Sequence, residues 1–187
     1  MRIGIDISQL AFENTGVANY LENLLVGLLK LDRENEYVLF YSSLRKRLNF
    51  EKFNTHRNVT VKSFKIPPVL LELIWNRLHV LPIEQFIGDI DIFISSDWTQ
   101  PPTRAKKFTI LYDLIVYKFP KESHDEFRFS LKNFSIRPNI VESQKRRLNW
   151  VKKECDAILC ISESTKKDAM KLIHIGEEKL HVVYPGI

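Results

Sequence analysis

The sequence predicts an α/β domain built on a mostly parallel sheet with helices on both faces. Short apolar segments rich in β-branched residues alternate along the chain with segments whose apolar residues recur at helical spacing. Several strand segments are apolar throughout, which is typical of strands buried on both faces of a parallel sheet. The chain has 187 residues, so we expect a single domain with a sizeable core over residues 1–187.

The predicted strands share short length, apolar composition and polar flanking residues. The segment 59–64 alternates apolar and polar side chains, which favours a position nearer an edge of the sheet. In chain order the predicted strands are 2–7, 37–41, 59–64, 90–94, 108–112, 157–161 and a last one that begins at 180–183.

Four segments between these strands have helical spacing, over residues 16–31, 69–80, 135–153 and 162–173. Thr15 is expected to cap the first helix, because its side-chain oxygen can accept a hydrogen bond from an exposed N–H of the first turn. Ser162 is the expected cap of the last helix. The alternation predicts a doubly wound, Rossmann-like fold, in which ligands bind beyond the carboxyl ends of the strands.

Charge and cysteine content limit the kinds of partner, metal site and cellular location that the chain is expected to have. The chain has 28 Lys and Arg against 23 Asp and Glu, a net charge of +5 that permits an anionic partner without requiring one. Cys155 and Cys160 lack the spacing of a zinc site, so buried free thiols are expected. Asp6 interrupts any leader-like apolar stretch at the start, and no long uncharged stretch follows, so we expect a cytoplasmic protein.

The loop into the first helix is the first candidate binding site, with Gly16, Asn19 and Tyr20. A helix N-terminus directs N–H groups and the positive end of the helix dipole toward a ligand above the sheet. Gly16 would let that ligand approach the backbone. The alternative is an ordinary loop glycine at the start of a helix.

Two further candidates follow the next predicted strands. Trp98 comes after the polar residues 95–97 and either stacks on the apolar face of a sugar ring or anchors its loop to the core. Tyr112 and Asp113 end the strand 108–112. The carboxylate there either accepts hydrogen bonds from hydroxyl groups or caps the segment that follows.

Ser162 and Glu163 follow the strand 157–161 and either line the site or only cap the helix that they begin. The residues Asp89 and Asp91 match a DxD metal-binding pattern, but they precede a strand, so we expect them at the opposite edge of the sheet. The five histidines lack the spacing of metal ligands, and we expect no metal site.

Three stretches of the sequence carry a resemblance to a known family. They are MRIGIDISQLAFENTGVANYLENLLVGLLKLDRENEYVLFY at the start, DIFISSDWTQPP with KFTILYDLIVYKFP in the middle, and CDAILCISESTKKDAMKLIHIGEEKLHVVYPGI at the end. In order, they resemble the N-terminal half of family 4 glycosyltransferases, which belong to the GT-B class. In that family a Gly-containing loop leads into the first helix, and later strands end in His-Asp-Leu and Ser-Glu-Ser. A Val-Val-Tyr-Pro-Gly run closes the domain.

The resemblance implies a role for several residues. Asp113 matches the Asp of His-Asp-Leu and is a catalytic candidate with Tyr112, which stands where the family has His. Gly16 would lie near the donor phosphates or the acceptor, and Ser162 and Glu163 would line the cleft near the hinge. The resemblance also implies no cofactor or metal. A nucleotide sugar would be the co-substrate, held mainly by a C-terminal donor-binding half outside this chain.

The function implied is that of a hexosyltransferase-type enzyme of polysaccharide biosynthesis, with this chain as its acceptor-side half. The acceptor would be a glycan or a lipid-linked molecule, and the partner would be a donor-binding half, in cis or in trans. The chain alone is expected to be inactive. The alternative is a non-catalytic module that binds a glycan or acceptor. No recognition motif accompanies the basic residues, so no nucleic-acid partner is expected.

The stretch 128–153 is strongly basic, with Glu142 as its single acidic residue and Trp150 near its end. A cationic helix that carries Trp suits the headgroup region of an anionic membrane, which predicts peripheral contact with the inner membrane face. The alternative is a solvated helix whose apolar side packs on the sheet. The cations are Arg128, Lys132, Arg137, Lys145, Arg146, Arg147, Lys152 and Lys153.

Overall fold

A computed structural model describes residues 1–46, 48–54, 56–119, 129–131, 134–136 and 140–185 of the chain. At its centre is a seven-stranded, wholly parallel sheet in the order β3-β2-β1-β4-β5-β8-β9. A separate antiparallel pair is formed by β6 and β7. The bounds are β1 Arg2–Asp6, β2 Glu36–Ser42, β3 Val59–Phe64, β4 Ile92–Ser95, β5 Lys106–Leu111, β6 Phe129–Leu131, β7 Phe134–Ile136, β8 Ala157–Cys160 and β9 Leu180–Val182.

The strand order confirms the doubly wound, Rossmann-like fold. From β1 the chain adds β2 and β3 toward one edge, then returns to place β4 on the other side of β1 and continues to β9. The direction of winding therefore reverses between β1 and β4, which is the topological switch point where ligands bind in such sheets. The predicted edge position of β3 is also confirmed.

The helices that connect the strands are of very different lengths. A π-helical turn, Glu72–Arg77, continues α3, and 3-10 turns occupy Ser8–Ala11 and Glu177–Lys179. The bounds are α1 Gly16–Leu31, α2 Glu51–Asn54, α3 Pro68–Leu71, α4 Glu84–Ile87, α5 Ile115–Lys118, α6 Ile140–Glu154 and α7 Glu163–Leu172.

Helices cover both faces of the sheet. Consecutive residues of a strand point to opposite faces, and in β2 Leu39 packs in the core that contains α1, whereas Phe40 packs in the core that contains Trp75 and α4. A third apolar cluster lies on the same face of the sheet as Phe40, near β8, where α6 and α7 pack against the sheet. The prediction of a sheet buried between helical layers is thus confirmed.

Local sequence signals account for both predicted helix caps. The Oγ1 atom of Thr15 accepts a hydrogen bond from the N–H of Ala18 at 3.2 Å, and the Oγ atom of Ser162 accepts one from the N–H of Thr165 at 3.1 Å. Each satisfies an amide that the first helical turn leaves without an intrahelical partner. Cys155 and Cys160 are free and buried, as predicted, and burial raises the pKa of both thiols.

Two helix predictions need correction. The helix predicted over 135–153 begins only at Ile140, and residues 134–136 belong to β7. The sequence has a proline at position 138, and a helix running through it would lose a hydrogen bond and clash with the preceding turn. The helix predicted over 69–80 is α-helical only to Leu71; beyond it the N–H of Leu78 bonds the carbonyl of Leu73, five residues back, at 2.9 Å.

Two leucines of α1 test the placement of this helix on the sheet. Leu25 is fully buried and Leu31 is 88% exposed. We expect Leu25→Ala to lower the free energy of unfolding by about 2–5 kcal/mol, because it removes apolar contacts and leaves a cavity. Leu31→Ala should change it by no more than about 0.5 kcal/mol. Urea denaturation followed by circular dichroism measures both, and equal effects would contradict the placement.

Candidate functional site

The carboxyl ends of β1, β4, β5 and β8 bring polar residues to one edge of the sheet. The strand β1 ends at Asp6, and β4 ends at Ser95, with Ser96 and Asp97 directly after it. Because β1 and β4 are neighbours and parallel, these groups meet at the switch point. Tyr112 and Asp113 follow β5, and Ser162 follows β8, one and two strands farther along the same edge.

Asp6 is a buried carboxylate at the switch point that sequence reasoning missed as a site residue. It is 3% exposed, and one carboxylate oxygen accepts the N–H of Ser8 at 2.9 Å. Burial raises the pKa of Asp6, while hydrogen bonds from Ser8 and Ser96 oppose that rise. The available signal was an acidic residue at the end of an otherwise apolar strand.

Asp97 is a partly open carboxylate directly after β4, on the side that faces α6. Its side chain is 25% exposed, and its Oδ1 atom lies 3.0 Å from a guanidinium nitrogen of Arg147. Burial raises the pKa of Asp97 to about 6, the Arg147 charge opposes this, and the negative charge of Asp113 adds to it. Asp97 therefore changes charge closer to neutral pH than an ordinary aspartate.

Arg147 reaches this edge from α6 and is 1% exposed. Its guanidinium donates to the carbonyl of Ser96 at 3.3 Å, the carbonyl of Ile110 at 3.1 Å and the hydroxyl of Thr109 at 3.4 Å. The expectation that Arg147 belongs to a cationic solvent-facing surface is therefore wrong. The physical reason is that its charge is paired and its hydrogen bonds are made inside the fold.

Tyr20 and Tyr112 join the start of α1 to the strand ends. Their rings meet edge to face, with centroids 5.5 Å apart, and both residues are buried. The hydroxyl of Tyr112 donates to the carbonyl of Val17 at 3.4 Å, and that of Tyr20 donates to the carbonyl of Val183 at 3.0 Å. Burial raises the pKa of both phenols. In this arrangement both hydroxyls make bonds within the protein.

Other predicted site residues lie at the surface of the same edge. Gly16 is exposed at the start of α1, and a side-chain carbon placed on it would meet no atom within 4 Å in the described part of the chain. Asn19 is exposed one turn later. Asp113 is exposed and accepts the N–H of Ile115, the first residue of α5, at 3.0 Å, whereas the N-cap of this helix is Leu114. A binding role for Asp113 remains a prediction.

Ser162 and Glu163 begin α7 after β8. Ser162 caps the helix, and Glu163 is exposed in its first turn. Trp98 is half-buried; its backbone N–H bonds the Ser96 hydroxyl at 3.3 Å, and its carbonyl accepts from Asn76 at 3.0 Å. The indole N–H of Trp98 is enclosed and meets no acceptor among the described residues.

The DxD pattern lies at the opposite edge of the sheet, as predicted. The carboxylate of Asp91 accepts the backbone N–H of Arg2 at 2.7 Å, where β1 begins, and the carbonyl of Asp89 accepts from the Arg2 side chain at 2.6 Å. Within the described ranges, no group of three or more His, Cys, Asp or Glu residues is placed to hold a metal ion.

The fold and the strand-end site together define the class of protein: a Rossmann-like half of the GT-B glycosyltransferase architecture. The family model described as Glycosyltransferase Family 4 matches residues 14–187, and the chain belongs to that family. The resemblance inferred from the sequence is thereby confirmed. No curated protein matches the chain closely enough to count as a relative.

In the part of the chain that the structure describes, every helix is too short or too polar to cross a membrane.

The environment of Asp97 generates a pH prediction. Between its ordinary pKa of 3.8 and about 6, folded Asp97 holds a proton that the unfolded chain has lost, so this group's contribution to stability falls as pH rises through that window. We expect Asp97→Asn to remove this part of the pH dependence in urea denaturation. Carbon-detected NMR should show Asp97 titrating near pH 6.

Arg147→Met provides the matched test, because it keeps a side chain of similar length and removes the charge that opposes the rise. It should move the Asp97 midpoint still higher. An Asp97 midpoint near 3.8, or one that Arg147→Met leaves unchanged, would contradict this account of the site.

Proposed function

We propose that this chain is the acceptor side of a glycosyl transfer from a nucleotide-sugar co-substrate to a glycan or lipid-linked acceptor. A donor-binding half, in cis or in trans, completes the enzyme. The observation that carries the proposal is the carboxyl edge of the sheet at the switch point of a family 4 domain. There Asp6 interacts with Ser96, and Asp97 follows directly after Ser96.

The chemistry of these groups suits a polyhydroxylated ligand. Carboxylate oxygens only accept hydrogen bonds when ionised, and sugar hydroxyls donate them. Asp97, partly open and with a pKa of about 6, is largely ionised at neutral pH and binds and orients an acceptor hydroxyl. Asp113 is a further, exposed carboxylate of this edge, and its bond to the N–H of Ile115 uses only one of its oxygens.

The start of α1 supplies a partial positive charge that complements a negatively charged diphosphate. Its sixteen residues place the positive end of a helix dipole beside the strand ends. Gly16 leaves that end sterically open, so a diphosphate carried by the donor half could approach the backbone there. The predicted binding residues Gly16 and Asn19 contribute to this surface, and Glu163 borders it near β8.

Tyr112 serves a positioning role in this proposal. Its raised pKa keeps the phenol protonated at neutral pH, so it does not act as a base. Its hydroxyl instead holds the carbonyl of Val17 in the first turn of α1, and its ring packs on Tyr20. The tyrosine pair thereby sets the distance between the helix start and the end of β5.

The first experiment separates transfer from binding alone. We expect no release of UDP or GDP from a panel of nucleotide sugars by residues 1–187 alone, because in this proposal the donor-binding half holds the nucleotide sugar. Addition of that half, supplied as a separate chain or by fusion, should produce release that depends on an acceptor. Release by the chain alone above a boiled control would refute the division of roles. Acceptor binding without transfer in the completed protein would favour the non-catalytic alternative.

Gly16 tests the site itself. In the completed enzyme, Gly16→Trp should abolish transfer, because the indole fills the space beside the strand ends. Its effect on unfolding should be on the order of 1 kcal/mol or less, since a side chain at position 16 meets open space. The control is Lys30→Trp, exposed in the last turn of the same helix and about 20 Å away along its axis. Full activity in Gly16→Trp, or equal loss in both variants, would overturn the assignment.

A further inference from the structure

The segment that connects β3 to β4 exposes a continuous set of large apolar side chains, which we call the apolar ridge. It consists of Leu70, Leu73, Leu78, Val80 and Leu81, which are 43%, 37%, 60%, 47% and 42% exposed. Single exposed apolar residues are common on protein surfaces, but five within twelve positions of the chain mark an interaction site.

The burial pattern shows that the first part of the ridge lies on one face of the helical segment. Leu71, Glu72, Trp75 and Asn76 are all buried, so these positions point toward the sheet. The remaining positions 70, 73 and 78 follow one another along the outer face at intervals close to one helical turn. The ridge is therefore the outward counterpart of the core-facing side.

Hydrogen bonds hold the end of the ridge in a defined conformation. The indole N–H of Trp75 donates to the carbonyl of Leu81 at 2.9 Å, and the N–H of Val80 donates to the carbonyl of Ile74 at 3.0 Å. His79 and Leu81 have φ angles of 52° and 60°, a left-handed conformation that is unusual for a leucine. The turn that leaves Leu78, Val80 and Leu81 exposed therefore has an unfavourable backbone conformation, which the surrounding hydrogen bonds stabilise.

Cations border the ridge. Arg77 lies on the segment itself, and Arg146 of α6 contacts the same Glu72 carboxylate; the two cations are 36% and 35% exposed, whereas Glu72 is only 2% exposed. Lys153 lies 4.9 Å from the ring centroid of Trp150, which stacks on His79 at 3.6 Å. The acidic partner of the two arginines is buried, so the charge presented outward beside the ridge is positive.

Two acidic side chains also lie near this border. Glu142 is 53% exposed and lies 3.8 Å from Arg146, and Glu154 is 29% exposed and already pairs with Lys107 and His79. They reduce the positive field without reversing it, because Lys152 and Lys153 are exposed on the same helix.

We propose that the apolar ridge and its cationic border dock this chain on an anionic lipid bilayer. The leucines and Val80 enter the boundary between headgroups and acyl chains, and Arg77, Arg146 and Lys153 reach the lipid phosphates. Exposed leucines with flanking cations match the two layers of an anionic bilayer surface, in which acyl chains lie beneath negatively charged phosphates.

The sequence suggested that the membrane contact is made by the basic stretch 128–153, whereas the structure favours a different segment. Trp150 donates its indole N–H to the carbonyl of Asn76 at 2.9 Å and stacks on His79, and Arg147 is buried, so neither is free to enter a membrane. Arg128, Lys132 and Arg137 lie outside the described residues. The apolar part of the contact comes instead from the segment between β3 and β4.

The ridge is connected to the candidate site through Asn76. Its side-chain amide donates to the carbonyl of Trp98 at 3.0 Å and accepts the N–H of Gln100 at 2.9 Å, which fixes the loop after β4. Docking at the ridge would therefore bring the loop after β4 close to the lipid surface. This step rests on the proposed function, whereas docking itself is independent of it.

Vesicle co-sedimentation of the chain tests the proposal directly. We expect binding to vesicles of phosphatidylcholine with phosphatidylglycerol at low salt, weak binding to phosphatidylcholine alone, and loss of binding at high salt, because salt screens the cations. Absence of binding to anionic vesicles at low salt, or binding that ignores lipid charge, would overturn the proposal. This assay needs no enzymatic activity, so its outcome is distinguishable from failure of the proposed function.

Matched variants locate the contact. Leu78→Asp should lower the bound fraction at subsaturating lipid about tenfold, since one leucine is no longer buried and a negative charge faces the lipid. Leu31→Asp places the same charge at an 88% exposed leucine on α1 and should bind as the unmodified chain does. Lys153→Glu should weaken binding, whereas Lys30→Glu on α1 should have a smaller effect. Equal binding by Leu78→Asp and Leu31→Asp, with both variants folded by circular dichroism, would overturn the assignment of the ridge.

Discussion

The buried guanidinium of Arg147 binds the carboxyl ends of β4 and β5 to α6, and the geometry of the candidate site depends on it. It donates to two backbone carbonyls and one hydroxyl while it pairs with Asp97. Removing an arginine from such a position would leave a carboxylate and several acceptors unsatisfied in a poorly solvated region. The candidate site is therefore held by the hydrogen bonds and the ion pair of Arg147, and apolar clusters pack on the same face of the sheet.

A second group of polar contacts lies at the C-terminal end of α6. Lys107 is 2% exposed and donates to Glu154 at 2.5 Å, and the second oxygen of Glu154 bonds His79 at 2.6 Å. Burial lowers the pKa of Lys107, and Glu154 opposes that effect. Buried ion pairs add little net stability because desolvation offsets the attraction, but their directional bonds define how a helix sits on a sheet. Here they align α6 with β5 and with the segment that carries the apolar ridge.

Much of the candidate site could be predicted because parallel strands end at the same edge of a sheet. Asp113 and Ser162 follow predicted strands directly, and the structure places them at that edge. Arg147 could not be placed there, because a charged residue in a basic stretch is ordinarily a surface residue and its partners lie 37–51 positions earlier in the chain. Tyr20 is a core residue of α1, as its spacing predicted, and its binding role stays a prediction; only packing against Tyr112 shows where its ring lies.

The sequence by itself determined the seven strands of the parallel sheet, their order along the chain, and the caps at Thr15 and Ser162. All of these depend on neighbours within a few residues. The tertiary structure decided which polar groups meet. Asp6 joins Ser96 and Arg147 joins Asp97 only once β4 lies beside β1 and α6 packs across β5. The physical reason is that local periodicity defines which face of an element is apolar, whereas burial, pKa and pairing of a charged group depend on residues brought to it from distant parts of the chain.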